Sequence, residues 1–409
     1  MRTSSARGVS LVVASAAAVA ALGSVVVAWR IALPAGRSTG QRLGDLHVYT
    51  GAIEHLHRTG SLYTHVTDNG LGFTYPPVSA TLFAPLTWAS ADLTDTLWTL
   101  AMLAASVVCA AVVAHRVTPL SAPRTIRYAV LAACVVVLLQ SAQVQSGLVS
   151  GNVSVLLTAL CLVDVGEVVP RRLRGILVGV ASAVKLTPLI FVPYFLLTRQ
   201  RGALWRALAA VVGLTALGWV IHPQDSVTYW TDKILETERI GDLAFLGNQS
   251  AMGVLARVEV EGAAGTLGWL VIGGAVGLAG LWRAREAHRS GDPVGAAVVL
   301  GCASVIASPV SWPFHQIWLP LAGLLLMSHG RGRALLGLVV VVTSVAWPAT
   351  AALGAAVPGG QVVADNWQFL LCLVVVAAGF GRTDQERPNV RRTPARAGQA
   401  TSGTNFFHG

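Results

Sequence analysis

Four polar positions in an otherwise apolar chain could carry reaction chemistry. Asp45 opens the stretch GDLHVYTGA, Asn152 lies in LVSGNVSVLL, Lys185 in ASAVKLTPLI, and His315 closes SPVSWPFH. A carboxylate at a membrane surface can take a proton from a hydroxyl. Asp45 has two readings: an N-cap on a short surface helix, or a carboxylate aimed at a cavity beneath its loop. A lysine at membrane depth costs about 2.5–3.5 kcal/mol on insertion scales and marks a functional position by default. Lys185 is eleven residues from Arg174 and fourteen from Arg199, too far inside for snorkelling to rescue it. Its partner is an anion, either a carboxylate or a lipid phosphate. Asn152 reads as a cavity amide or as helix–helix glue. His315 reads as an aromatic-belt histidine or as a functional group, since it lies on the same face as Asp45.

Around these positions lie groups suited to sugars, since flat rings stack on pyranose faces and amides pair with hydroxyls. They are Tyr75 before Pro76-Pro77, Trp312 before Pro313, and Asn248-Gln249 in a loop that also holds Tyr229-Trp230. Tyr75-Pro76-Pro77 is equally a structural corner, because proline restricts both itself and the residue before it. His47, His55 and His57 do not share a helical face, so they read as solvated loop histidines, and no metal site is expected.

The elements that must position these groups follow from composition. The chain has 409 residues, 54% apolar and only 12% charged, with a mean hydropathy of +0.63. A soluble domain carries about 25% charged residues, so this chain cannot surround itself with water. Long uncharged stretches recur between residues 9 and 381, each near the roughly 20 residues that cross a bilayer. An all-α polytopic membrane protein is expected; soluble enzymes and single-anchor proteins are excluded. The net charge of +10 sits largely in short Arg-rich connections, which speaks for positive-inside topology and against a nucleic-acid partner. Five cysteines lie scattered in apolar segments and read as small hydrophobes.

With every Arg-rich connection on the cytoplasmic side, two segments cannot be simple crossings. One is 77–91, which opens on prolines. The other is 174–197, flanked by arginines and broken at Lys185-Leu186-Thr187-Pro188. A hairpin dipping in from one face satisfies both flanks. That arrangement has ten full crossings and two partial ones; the rival has twelve plain crossings. Both put loops 30–76 and 222–262 and the stretch 309–315 on one outer face. A single transmembrane domain over 1–381 and a disordered cytoplasmic tail over 382–409 complete the expected organisation.

GDLHVYTGA, FTYPP, SGNVSVLL, AVKLTPLIF, GNQS and SPVSWPFHQIW, in this order, resemble the bacterial family 87 glycosyltransferases. The resemblance spans about residues 40–320. It implies a GT-C-type bundle of 10–12 transmembrane or partial helices in the plasma membrane, with the active site on the outer face. The most similar members are α-(1→2)-mannosyltransferases of phosphatidylinositol mannoside or lipomannan synthesis; arabinofuranosyltransferases share the family. The implied reaction uses polyprenyl-phosphate-mannose and a glycolipid acceptor, with no resident cofactor. Inverting displacement is implied, with Asp45 as base, His315 and Lys185 at the carried-over polar positions, and Pro313-Phe314 departing from the family pattern before His315. Asn152, Tyr75, Asn248, Gln249 and Trp312 are the expected substrate contacts. A secondary transporter remains the alternative class, weakened by the lack of any inverted repeat.

Overall fold

The computed structural model describes residues 17–29, 42–68, 70–234, 236, 240–346 and 360–380. The expected tail 382–409 lies outside the described residues. The chain is an all-α polytopic membrane protein. Its helices are α1 (Ala17–Trp29), α2 (Gly44–Thr59), α3 (Pro77–Phe83), α4 (Ala91–Val117), α5 (Arg124–Gln140), α6 (Ala142–Ser150), α7 (Ser154–Val165), α8 (Ile176–Val184) and α9 (Val192–Leu197). They continue as α10 (Arg201–Ile221), α11 (Pro223–Thr228), α12 (Ala251–Arg257), α13 (Gly262–Arg289), α14 (Pro293–Ala307), α15 (Trp318–Leu326), α16 (Arg331–Val345), α17 (Gln361–Asp365) and α18 (Trp367–Ala378). Among the described residues α4, α10 and α13 are each long and apolar enough to cross a bilayer alone.

Between residues 124 and 165 the apolar chain is divided into three helices, α5, α6 and α7. α5 and α6 meet at a 60° bend. Ser141 causes it: its backbone is extended, its hydroxyl donates to Leu138 O at 2.6 Å, and its oxygen caps Val144 N. A side chain that ends one helix and caps the next turns the chain sharply.

Both partial segments are short. Pro77 starts α3 at N1, where its missing N–H costs nothing, and after seven residues the chain tightens into a 3₁₀ turn over Ala84–Thr87. The segment 174–197 is a hairpin. Pro188 cannot donate to the preceding turn and disfavours helix at Thr187, so α8 stops at Val184 and Lys185 is extended. The chain then runs back through a 3₁₀ turn (Thr187–Phe191) into α9. Its two ends meet: Arg206 Nε donates to Arg174 O at 2.8 Å and Gln200 Nε2 to Glu167 Oε1 at 3.5 Å. Lys185 is therefore at the tip.

The core lies between α14 and its neighbours. Helices in lipid associate through small residues that let backbones approach. Gly280 faces Ala303 across α13 and α14, and Gly301 lies flat against the Trp318 indole of α15. A Cβ at Gly301 would overlap that ring, which cannot swing aside from a buried position. Gly301→Ala is therefore expected to lower the melting temperature in detergent, overpacking (about 1–3 kcal/mol) outweighing the helix-propensity gain of about 1 kcal/mol. A differential scanning melt reads the sign. All five cysteines are buried and unpaired.

Candidate active site

Asp45 is in the first turn of α2, and it is not a cap. The N-cap is Leu43, in the left-handed region at φ 50°, without a side-chain cap bond. Leu43 is held there by its N–H to Val149 O at 2.7 Å. Beside it Gly151 ends α6 with φ 70°, the common left-handed C-cap. A Cβ on Gly151 would sit 3.1 Å from Leu43 Cα and from Leu46 Cβ, so only glycine allows α2 to seat this closely. Trp98 Nε1 donates to Gly151 O at 2.8 Å. This docking brings the next residue, Asn152, to the Asp45 carboxylate.

Asn152 Nδ2 donates to Asp45 Oδ2 at 2.7 Å and to the Tyr75 hydroxyl at 3.2 Å. Its Oδ1 accepts from Ser154 N at 2.9 Å and Ser154 Oγ at 2.6 Å, an Asx turn that leads into α7. Lys185 Nζ lies 3.5 Å from Ser154 Oγ and 2.6 Å from His315 Nε2. The Trp312 N–H donates to His315 Nδ1 at 3.0 Å, which holds the ring against Lys185. A continuous polar chain thus runs from Asp45 through Asn152 and Ser154 to Lys185 and His315. Tyr75 closes its side, with Lys185 Nζ 5.5 Å from its ring centroid and its hydroxyl 3.0 Å from that of Tyr49.

Apart from Ser154, which lies behind them, these polar groups line a cavity of about 970 Å³, at the upper end of the roughly 300–1,000 Å³ typical of ligand sites. Its other walls are mostly apolar, including Val48, Ile190, Ile240, Phe245 and Phe314, with the charged Lys233 and Asp242 also on the lining. Asp45, Tyr75, Asn152, Lys185, Trp312 and His315 all face it. Burial pushes the Asp45 carboxyl above its ordinary value, opposed by the Asn152 hydrogen bond and then by the charge of Lys185.

Two expected contacts are elsewhere. Asn248 and Gln249 are fully buried and absent from the cavity wall. The Asn248 side chain bonds Leu243 O at 3.0 Å, Ser250 Oγ at 2.9 Å and Ser311 N at 2.9 Å. Gln249 bonds Leu246 O at 2.8 Å, Asp365 O at 2.7 Å and Phe369 N at 3.0 Å, tying the second polar loop to α18. Both amides are sealed away from the cavity by this packing. Asn248 instead supports the site from behind, since Ser311 directly precedes Trp312.

Ser154 is the residue that sequence reasoning missed. Its signal is local: an oxygen two residues after an asparagine, at a helix start. Asp225 was missed too. It accepts from Leu62 N at 2.9 Å and, with Tyr63 stacked on Tyr229 at 5.8 Å, pins the second loop onto the first. His47 and His55 go separately to Asp95 at 3.2 Å and Thr64 at 3.0 Å.

Fold and site together define a helical membrane protein with a carboxylate and an amine facing one large, mostly apolar cavity. A sequence model of glycosyltransferase family 87 matches residues 73–309, and the chain belongs to that family. Its relatives include the polyprenol-phosphate-mannose-dependent alpha-(1-2)-phosphatidylinositol mannoside mannosyltransferase of Mycolicibacterium smegmatis (strain ATCC 700084 / mc(2)155), 34% identical over 283 residues, which is 64% of this chain and 63% of the relative. The protein of the same description from Mycobacterium tuberculosis (strain ATCC 25618 / H37Rv) is 34% identical over 277 residues, 64% of each chain. The chain thus matches under two thirds of the length of these two. The polyprenol-phosphate-mannose-dependent alpha-(1-2)-phosphatidylinositol pentamannoside mannosyltransferase of Mycobacterium tuberculosis (strain CDC 1551 / Oshkosh) is 31% identical over 387 residues, 90% of this chain and 86% of the relative. No solved structure matches.

Proposed function

We propose that this protein transfers mannose from polyprenyl-phosphate-mannose to a mannosylated phosphatidylinositol acceptor, forming an α-(1→2) linkage at the outer face of the plasma membrane. The single observation that carries the reading is that Asp45 and Lys185 face one cavity and are joined through Asn152 and Ser154. Asp45 takes the proton from the acceptor hydroxyl as its oxygen attacks the anomeric carbon from the face opposite the phosphate. The bond from that carbon to the phosphate oxygen breaks, and polyprenyl phosphate leaves with the electron pair. Inversion converts a β-linked donor sugar to an α product. The departing charge meets the Lys185–His315 pair, a fixed electrostatic stabiliser, so the reading calls for no resident cofactor. Tyr75 and Trp312 offer ring faces to the sugars, and the apolar walls suit a polyprenyl chain.

The test is transfer of radiolabelled mannose from polyprenyl-phosphate-mannose to extracted phosphatidylinositol mannosides by reconstituted protein. Labelled product is expected. Product only with an arabinofuranosyl donor, or none with either, sinks the mannosyl reading. A pH dependence follows from the Asp45 environment. The base must be ionised to act, and burial raises its folded-state value above the roughly 3.9 of a free aspartate. Activity should therefore fall on acidification along a limb above that value. Asn152→Ala removes a hydrogen bond that holds the carboxylate charged, so it should move the limb to still higher pH. A limb that stays put in Asn152→Ala detaches the titration from Asp45.

A further inference from the structure

We infer that the end of the molecule opposite the two polar loops holds a binding site for the headgroup of an anionic phospholipid. A second cavity, about 830 Å³, opens where the 174–197 hairpin closes on α10. Arg171, Arg172, Arg174, Arg199, Arg201 and Arg206 line it, against one carboxylate, Glu167. Two of these arginines build the wall. Arg174 pairs with Glu167 at 2.7 Å, and Arg206 donates to Arg174 O at 2.8 Å and Arg171 O at 2.9 Å. The other four, Arg171, Arg172, Arg199 and Arg201, are exposed and have no ion pair among the described residues.

The wall is built, not a loose surface run. Gly175 has φ 93°, and a Cβ there would collide with Ala203 O, so glycine lets the hairpin touch α10. Asp164 clamps the hairpin's first limb, accepting from Gly175 N at 2.6 Å and Val178 N at 2.9 Å. Arg199 itself is held at φ 60°, a conformation that turns the chain between α9 and α10 and brings both flanks of the cavity to the same end of the molecule.

Location selects a lipid over a free anion. α10 has 21 residues and spans about 32 Å, a hydrocarbon thickness. At its far end His222 bonds Thr81 at 2.9 Å beside the loop carrying Asp45. The arginines therefore sit at the opposite bilayer surface. The cavity is also flanked by apolar side chains turned outward: Trp205 is 68% exposed and Leu196 61%, with Leu173 and Leu197 beside them. Guanidinium forks above, with an indole and leucines below, match a phosphodiester and its acyl chains. Positive-inside topology explains arginines in short connections; it does not require six of them to converge on one cavity.

Native mass spectrometry of the purified full chain, titrated with phosphatidylglycerol or phosphatidylcholine, tests the site. Phosphatidylglycerol should bind about tenfold more tightly to the wild type. The variant R171Q/R172Q/R199Q should bind both lipids alike, while R124Q/R127Q, which alters another basic connection, should keep the preference. The single exposed changes R172Q and R199Q should each lower it in part, and serve if the triple variant does not fold. Absence of preference in the wild type, its persistence in the variants, or equal loss in R124Q/R127Q overturns the site. Displacement by millimolar inorganic phosphate, with phosphate itself bound, overturns the assignment to lipid.

Discussion

Asp45→Asn should abolish turnover while leaving donor binding intact. General-base catalysis contributes about 10²–10⁴-fold, so the loss in kcat should fall in that range. Asparagine has the shape of aspartate, and its own side-chain oxygen can accept the Asn152 Nδ2 hydrogen bond that now goes to Asp45 Oδ2 at 2.7 Å. The polar chain then survives the substitution, and the melting temperature should not fall. Asp45→Glu keeps the carboxylate but displaces it by a methylene, and misplacement of about 1 Å can cost about 10²-fold. It should therefore be crippled as well, with its acid limb retained. Measuring kcat, donor affinity and thermal melts together separates the outcomes. If Asp45→Asn keeps more than about a tenth of wild-type kcat, far above the general-base range, Asp45 is structural.

The second large effect is expected at Lys185. Removing one preorganised group that stabilises developing charge costs about 10²–10³ in kcat, and Lys185→Met should lose that much. Methionine fills similar space without an ammonium. Donor affinity should weaken too, because the phosphate is charged before and after the bond breaks. Stability is expected to move the other way. A buried ammonium carries a desolvation penalty, and here its contacts are neutral groups, Ser154 Oγ at 3.5 Å and His315 Nε2 at 2.6 Å. Lys185→Met should melt at or above the wild-type temperature while being nearly inactive. A variant that loses stability and activity in proportion would instead make Lys185 a packing residue. His315 is separable from it: the ring is held by the Trp312 N–H, so it positions the amine.

Much of this architecture is legible in residue types. Twelve per cent charge forces the chain into a membrane whatever its fold, because desolvating polar backbone in lipid leaves helices as the solution. Arginines on both flanks of 174–197, with Pro188 between them, are enough to expect a hairpin, and the structure brings Arg174 and Arg206 together at its base. Lys185 stands out by energetic cost alone. The bend at Ser141 was not legible, since a serine capping its own break differs from a serine bonded to the preceding turn, as Ser106 is to Met102 O, only in the backbone around it.

The contrast between Asn152 and Asn248 separates what is local from what is not. Asn152-Val153-Ser154 and Asn248-Gln249-Ser250 have the same spacing, and both asparagines accept from the serine two residues on. Residue type and spacing determine that turn, because it closes within three residues. They do not determine what the remaining amide hydrogens meet. For Asn152 the partner is Asp45, 107 residues away, across the gap that Gly151 leaves for Leu43. For Asn248 an amide hydrogen meets Leu243 O, while the side-chain oxygen also accepts from Ser311 N, 63 residues away. One amide reaches a cavity and the other is sealed behind it. The membrane, the hairpin and the reactive residue types were thus settled along the chain, by hydration cost and backbone sterics. Which of them share a cavity was decided by long-range packing alone.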